Sequence, residues 1–400
     1  MKTCRNNAGS DLAPGLPERR RPAGPPCTPQ YLRQVFAAAD TGDIEPLCLL
    51  GREILERNWD VIGALEQRTD ALCGLPWKVI PGGPSEADRA AAEGFAAALS
   101  ECGLLNGLDT FDDLLRNAAE AAVLPFTASE IRWLPGGGIA GFRAVDPWCF
   151  TLRDSLEPRL VREGVPEGIP LPPHRFVIHR LRRGGDPAHG GKLRVLAWLH
   201  GFQNWPIKDL FSYIERFGMP FVVARVDRKT WEDERAVLHS LIRNFGPNGG
   251  GVFTKSTELE LLNTAGSGEG GVYFRALEFT RKAIYTLIVG QLASSSDASG
   301  MSNGSAQTAV RQDILEADAR AFEATCRAQI AAPWTQWNCP PGTAVPKLRF
   351  QTEPPADLAR LATVVETLAR AGFRADPGEL SERFGLHLTA ADAAERKENA

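Results

Sequence analysis

Residues 273–330 read YFRALEFTRKAIYTLIVG, then QLASSSDASGMSNG, then SAQTAVRQDILEADARAFEATCRAQI, and the contrast between these three pieces decides the fold. The first piece has apolar residues at helical spacing up to Val289. The second, Gln291 to Gly304, is built from small polar residues with the single charge of Asp297, which predicts a mobile loop. The third, Ser305 to Ile330, predicts the longest helix of the chain, roughly 39 Å at 1.5 Å per residue. Positions 310, 314, 317, 321, 324 and 328 are all Val, Ile or Ala, and this narrow stripe predicts the face that packs closely.

Upstream, helices are expected from Gln30 to Ala39, Ile44 to Arg57, Asp60 to Leu72, Ser85 to Leu99 and Thr110 to Val123. Trp77 to Ile80 reads as a short strand. The texture then becomes β, with short runs at Thr127–Leu134, Ile139–Arg143, Trp148–Arg153, Arg159–Arg162 and Arg175–Leu181. A long helix follows from Lys192 to Phe217, where Pro206 is expected to kink or split it. A compact αβ insert comes next: strand Phe221–Val226, helix Thr230–Phe245, a Gly-rich loop and strand material to Leu262. After the double prolines at 340–341 and 354–355, two small helices are expected near Asp357–Ala371 and Pro377–Phe384. The fold class is therefore α+β.

The 400 residues include 43% hydrophobic and 24% charged residues, ordinary values that exclude wholesale disorder. No stretch is long and apolar enough to span a bilayer, and Met1 to Ser10 lacks the apolar run of a signal peptide. Residues 1–29 hold six prolines and net +3 (Lys2, Arg5, Arg19, Arg20 and Arg21 against Asp11 and Glu18), the mark of a flexible basic arm. The whole chain nets -4, so the rest nets -7. That balance excludes a protein that grips nucleic acid by neutralising phosphates, but not a conduit through which it slides. Eight cysteines without metal-ligand spacing read as reduced thiols, and no metal or cofactor is implied.

Candidate chemistry is weak. Gly300-Met301-Ser302-Asn303-Gly304 fits the G-x-S-x-G nucleophile elbow, which makes a serine hydrolase using Ser302 the alternative reading. That chemistry needs a strand feeding the turn, and residues 294–299 are serine-rich without a β-branched run. The Gly249-Gly250-Gly251 segment resembles a phosphate-binding loop, but Thr254 stands where glycine must precede Lys255. The six histidines are scattered, His174 and His179 read as structural, and Arg180, Arg182 and Arg183 form a small basic cluster. None of this makes an active site, so an enzyme is not expected.

The order of segments resembles the Mu-like phage portal protein family over roughly residues 30 to 385. The residues that carry the resemblance are Gly74-Leu75-Pro76-Trp77-Lys78-Val79, Arg175-Phe176-Val177-Ile178-His179-Arg180 and Phe217-Gly218-Met219-Pro220-Phe221. To these are added the helix opened by Tyr273-Phe274-Arg275 that runs into Val289-Gly290-Gln291, and Gly304-Ser305-Ala306 followed by Asp313, Glu316, Asp318 and Ala319. The family tends to continue the Gly-Gln with threonine-rich residues, where this chain has Leu292-Ala293-Ser294.

The resemblance implies a ring, usually dodecameric, at one capsid vertex of a virion, made in the host cytoplasm. Double-stranded DNA is packaged and ejected through it without sequence specificity. The implied partners are terminase, the major capsid protein and the neck or connector proteins, with no membrane, and a tail or baseplate adaptor ring is the second alternative. Mapped onto the chain, the implied parts are a portal-like wing at 30–190 and a first stem helix region at 191–217. A clip follows at 218–272, a second stem helix at 273–290, a tunnel loop at 291–304, a long wing helix at 305–339 and crown-like helices at 340–400. Gln291, Ser294, Ser295, Ser296, Asp297, Ser299, Ser302 and Asn303 would face DNA. Arg275, Arg281 and Lys282 would line the stem channel, and Arg225, Arg228, Lys229 and Arg243 would meet the clip partner.

Overall fold

The computed structural model describes residues 27–371 and 380, apart from 105–106, 154, 163, 182–184, 218–220, 226–257, 263–269, 291–300 and 353–357. The arm to residue 26, the expected helices at 230–245 and 377–384 and the Gly-rich segment at 249–256 therefore lie outside the described residues. Residues to Phe350 form one compact unit, and those from Gln351 a second.

Three helices open the first unit: α1 (Pro29–Asp40), α2 (Glu45–Arg57) and α3 (Trp59–Cys73). Thr28 and Asn58 cap α1 and α3 through side-chain oxygens that accept from backbone amides. Strand β1 (Trp77–Ile80) precedes α4 (Glu86–Glu101) and α5 (Phe111–Ala119). Both helices start at reciprocal capping boxes, Ser85 with Asp88 and Thr110 with Asp113.

The β section forms two small antiparallel sheets. In the first, β2 (Thr127–Trp133) lies between β3 (Ile139–Val145) and β7 (Phe176–His179). Ala128 stands opposite Val145 on one side and Ile178 on the other. The second sheet joins β4 (Phe150–Thr151), β5 (Arg159–Arg162) and β6 (Val165–Ile169). The expected strand at 148–153 is thus only two residues long, because Pro147 to Cys149 coil into a short 3₁₀ turn, and β6 has no counterpart in the sequence reading. Glu130, fully buried in the central strand, is held by Arg175 at 2.7 Å and Arg132 at 3.2 Å.

Helix α6 (Leu193–Phe217) is one helix through Pro206, where the sequence predicted a kink or a split. The proline removes one backbone donor, but packing along α7 (Gly270–Val289) and the ordered N-terminal half outweigh that loss. Between them β8 (Phe221–Arg225) pairs with β9 (Glu258–Leu262), antiparallel. The long helix α8 (Met301–Cys326) starts four residues before the expected Ser305. It passes through a π turn at Arg327–Ala331 into α9 (Ala332–Asn338). Pro333 explains the wide turn: it has no amide for the carbonyl of Gln329, and its ring would crowd that carbonyl in a regular helix. The side chain of Gln329, on that turn, accepts from the amide of Ile178 at 2.7 Å and donates to its carbonyl at 2.8 Å, standing in for a fourth strand beside β7.

The face that the long helix buries is not the predicted one. Val310, Ala317, Ala324 and Ala328 are exposed, while Asp318, Ala319, Phe322, Thr325, Cys326 and Ile330 are buried. Both faces have helical spacing, and the one carrying Phe322 and Ile330 wins because larger side chains bury more apolar area than alanine. Phe322 meets Phe111, Phe350 and the ring of His179 at centroid distances of 6.0, 6.3 and 5.6 Å.

After α9 the chain returns as β10 (Lys347–Phe350), pairing Phe350 with Trp77 and Lys347 with Ile80. Residues 340–350 therefore belong to the first unit, not to the C-terminal segment that the sequence placed from 340. In the second unit, α10 (Leu358–Arg370) carries the exposed pair Glu366–Arg370 at 2.6 Å. All seven cysteines among the described residues are free thiols. Burial pushes Cys27, Cys73 and Cys102 up to about 11.

Phe322→Ala is expected to cost about 3–5 kcal/mol of unfolding free energy by urea titration of the unassembled chain. Ala324→Ser on the exposed stripe should stay within about 0.5 kcal/mol. Equal losses would mean that the long helix buries the other face.

Candidate functional site

Segment 291–300 leaves one long helix and enters another, so its candidate role rests on how its two ends are held. Helix α7 ends on Ile288 and Val289, both buried, followed by Gly290 with φ +78°. The amide of Gly290 donates to the carbonyl of Thr286 at 3.1 Å. A side chain at Gly290 would be strained by this left-handed backbone, and its Cβ would come within 2.7 Å of Ile314 and 2.9 Å of Val310 on α8.

Arg68 of α3 locks this crossing. Its Nε and Nη2 each donate at 2.7 Å to the two carboxylate oxygens of Asp318 on α8, and its Nη1 donates at 2.8 Å to the carbonyl of Ile288. Both side chains are about nine-tenths buried. One guanidinium thus joins three helices, in the planar bidentate geometry that arginine alone supplies. Lys192, just before α6, donates its Nζ to the carbonyl of Leu287. Two cations therefore sit at the C-terminal end of α7, where the helix dipole is negative. Burial first, and then the neighbouring Arg68, bring the Lys192 ammonium down to about 8.

A second polar knot ties α3 to α6. Asn58 donates to Gln203 at 2.8 Å and contacts the ring of His200 at 3.1 Å, and Gln203 in turn donates to Asp60. Arg281 of α7 approaches Asp60 at 3.6 Å. Burial of the His200 ring, ahead of the charge of Arg57, lowers its pKa.

The residues predicted from sequence distribute as follows. Gln291, Ser294, Ser295, Ser296, Asp297 and Ser299 lie outside the described residues, as do Arg228, Lys229 and Arg243, and Arg182 and Arg183 of the basic cluster. Arg225 ends strand β8. Ser302 and Asn303 fall in the first turn of α8, so they belong to the helix and not to the loop; Ser302 does not sit in a strand-to-helix turn of its own. Arg275 is exposed and donates to the carbonyl of Gly271 at 3.2 Å. Arg281 also lies 5.9 Å from the ring centre of Tyr285, and Lys282 pairs with Glu278 at 2.9 Å. His179 is buried against Thr325 at 3.0 Å, a structural histidine. Among the described residues no group of three or more His, Cys, Asp or Glu side chains could hold a metal.

Sequence reading missed Arg68 and Lys192. The available signal was a pair of cations within otherwise ordinary segments, and nothing local distinguishes them from solvated ones.

A profile described as "Portal protein of Mu bacteriophage" matches residues 50–386. The chain belongs to this portal protein family. It is 26% identical over 360 residues to the Mu-like prophage FluMu protein gp29 of Haemophilus influenzae, spanning 87% of this chain and 68% of that one. With the portal protein of Escherichia phage Mu it shares 24% over 380 residues, 92% of this chain and 72% of the relative. The fold is shared with a chain of the neck of an empty gene transfer agent particle computed with C6 symmetry: TM-score 0.53, 11% identity, covering 92% and 96% of the two chains. It is shared too with a chain of the native particle's neck computed with C12 symmetry: TM-score 0.51, 10% identity, covering 89% and 94%. The portal resemblance read from segment order is therefore borne out, and the described residues have the mixed α and β architecture expected of it.

Arg68→Met should cost about 3–5 kcal/mol, since it leaves the Asp318 carboxylate buried and unpaired. Adding Asp318→Leu should restore most of that loss in a urea titration; no recovery would mean that the pair does not act as a unit.

Lys192 titrates near 8 when folded and near 10.5 when unfolded, so the unfolded chain binds more protons between these values. Stability contributed by this group should therefore rise with pH across that window. The stability of the unaltered chain relative to Lys192→Met, followed from pH 7.5 to 10, should climb; a flat difference would contradict the burial of Lys192.

Proposed function

We propose that this portal family member assembles into a closed ring at one vertex of a phage capsid. Double-stranded DNA would enter through it during packaging and leave during ejection. The observation that carries this reading beyond family membership is the anchorage of segment 291–300. A small, polar stretch without Lys or Arg follows a helix whose end is locked by Arg68 and Gly290 against the middle of the next helix, at Asp318, Ile314 and Val310. A rigid root with a weakly charged tip suits an element that must touch every passing sequence and hold none, because phosphate anchors would stall translocation.

In this reading α6 and α7 are the stem and the αβ body is the wing. The β8–β9 insert is the clip that meets terminase during packaging and neck proteins afterwards, and the long helix with α9 crosses the wing. The capsid protein surrounds the ring. Residues 351–400 form a reduced crown, and residues 1–29 reach a neighbour or the shell. The net of -7 beyond the arm suits a channel that does not bind its cargo. Twelve copies are the number this reading favours, and the necks in which the fold recurs, computed with C6 or C12 symmetry, accord with cyclic assembly. The protein does no covalent chemistry. A fluorophosphonate probe should leave Ser302 unlabelled; labelling would bring the hydrolase reading back.

Negative-stain images of the purified protein should show rings with a central hole, and monodisperse monomers at high concentration would sink the proposal. Imaging of particles should place the ring at the capsid vertex rather than at the tail tip, where an adaptor would sit. Replacing Ser294, Ser295 and Ser296 with Phe should impair DNA packaging or retention while rings still form. Failure of the rings themselves would show that the segment is not a tunnel loop.

A further inference from the structure

Helices α6 and α7 carry an apolar surface that the described fold leaves uncovered. On one side a groove of about 390 Å³ runs between them, lined in part by Phe202, Trp205, Val272 and Phe279, with Asp209 at its edge. Phe202, Val272 and Phe279 are exposed, Phe279 by 68%. Two further aromatics, Phe211 and Phe274, are more than 60% exposed and take no part in the groove.

Their positions follow from helix geometry. Phe211 lies nine residues after Phe202, about two and a half turns, and so points to the opposite side of α6. Phe274 is about 200° from Val272 and about 140° from Phe279 around α7, again away from the groove. The helix pair therefore offers a groove on one flank and two projecting rings on the other. On α6 Asp209 turns with the groove and Lys208 lies about 60° from the direction of Phe211, while on α7 the exposed Glu278 and Arg281 flank Phe274 at about 40° and about 20°.

We infer that Phe211 and Phe274 of one copy insert into the Phe202–Trp205–Val272–Phe279 groove of the next copy, with Lys208 facing Asp209 across the contact. This rests on the ring reading and names its stem interface. A surface with distinct donor and acceptor flanks joins head to tail, and only such heterologous contacts close a cyclic ring; a self-complementary patch would stop at a dimer. Buried aromatic rings at the centre of a contact are also where binding energy concentrates.

The test uses two variants of the full chain, altered only at exposed positions: Phe211→Glu with Phe274→Glu, which spoils the projecting flank, and Val272→Glu with Phe279→Glu, which spoils the groove. Each should raise the protein concentration needed for ring assembly by at least about 100-fold in mass photometry. An equal mixture should form dimers and no rings, because one intact groove and one intact projecting flank remain between the two. Circular dichroism melts matching the unaltered chain would exclude unfolding as the cause. Should either variant misfold, Phe211→Cys combined with Phe279→Cys in otherwise unaltered rings should give an oxidation ladder that neither single change gives. Rings formed by both variants, a mixture that stays monomeric, or an intact ring without that ladder would overturn the inference while leaving the ring reading in place. An unaltered chain that never forms rings overturns both. Persistent rings with apolar-dye binding gained only on deleting residues 1–26 would place this chain's own N-terminal segment in the groove, and would equally overturn the inference.

Discussion

The grip of Arg68 on Asp318 and on the carbonyl of Ile288 is the constraint on which the rest of this chain depends. Removing a guanidinium and a carboxylate from water is costly, and that cost is offset only when the geometry is good and the remaining polar atoms are satisfied. Here both conditions are met: two parallel bonds join the ions, and a third satisfies an otherwise orphaned helix carbonyl. The consequence is geometric. The end of α7 and the middle of α8 are brought to a fixed crossing, and the only backbone that fits between them is the left-handed glycine at 290. The segment that follows Gly290 therefore leaves from a helix end fixed against α3 and the middle of α8.

Three hydrophobic clusters make up the core among the described residues, and the first two flank this crossing. One packs α1, α2 and α3 against α6 and α7; a second packs α4, α5 and the β3–β2–β7 sheet against the long helix; a third lies beneath β4 and β5. Helix α3 contributes to the first two, with Val61 and Leu65 in one and Leu72 in the other, and carries Arg68 between them. Movement of the α6–α7 pair would therefore be felt in the body through α3. The same helix pair is joined to α3 a second time, through Asn58, Gln203 and Asp60. The α6–α7 pair is thus anchored to the body at two polar knots, one at Arg68 and one at Asn58 and Asp60.

Much of this was legible locally. The capping boxes at Ser85 and Thr110, the Gly74-Leu75-Pro76 stop, the β meander and the long helix after the serine-rich segment all follow from signals that act within three or four residues. The failures have identifiable causes. Of the kink or split expected at Pro206, the split does not occur, because propensity does not count the packing along α7. The strand at 347–350 went unread because four residues carry little periodic signal, and its partner Trp77 lies some 270 residues earlier. The two cations at the end of α7 look like any other solvated Lys and Arg until distant segments close over them.

The long helix separates the two kinds of information most clearly. Its existence and the order of the segments around it were determined by the sequence alone, and that order was enough to point to the portal family. Which of its faces is buried was decided only by tertiary structure. A helix with two apolar stripes has no local reason to prefer either, and the choice fell to the face whose Phe322 and Ile330 could fill the space left by Phe111, Phe350 and His179. The alanine stripe was left outside, since burying it would have removed far less apolar surface from water.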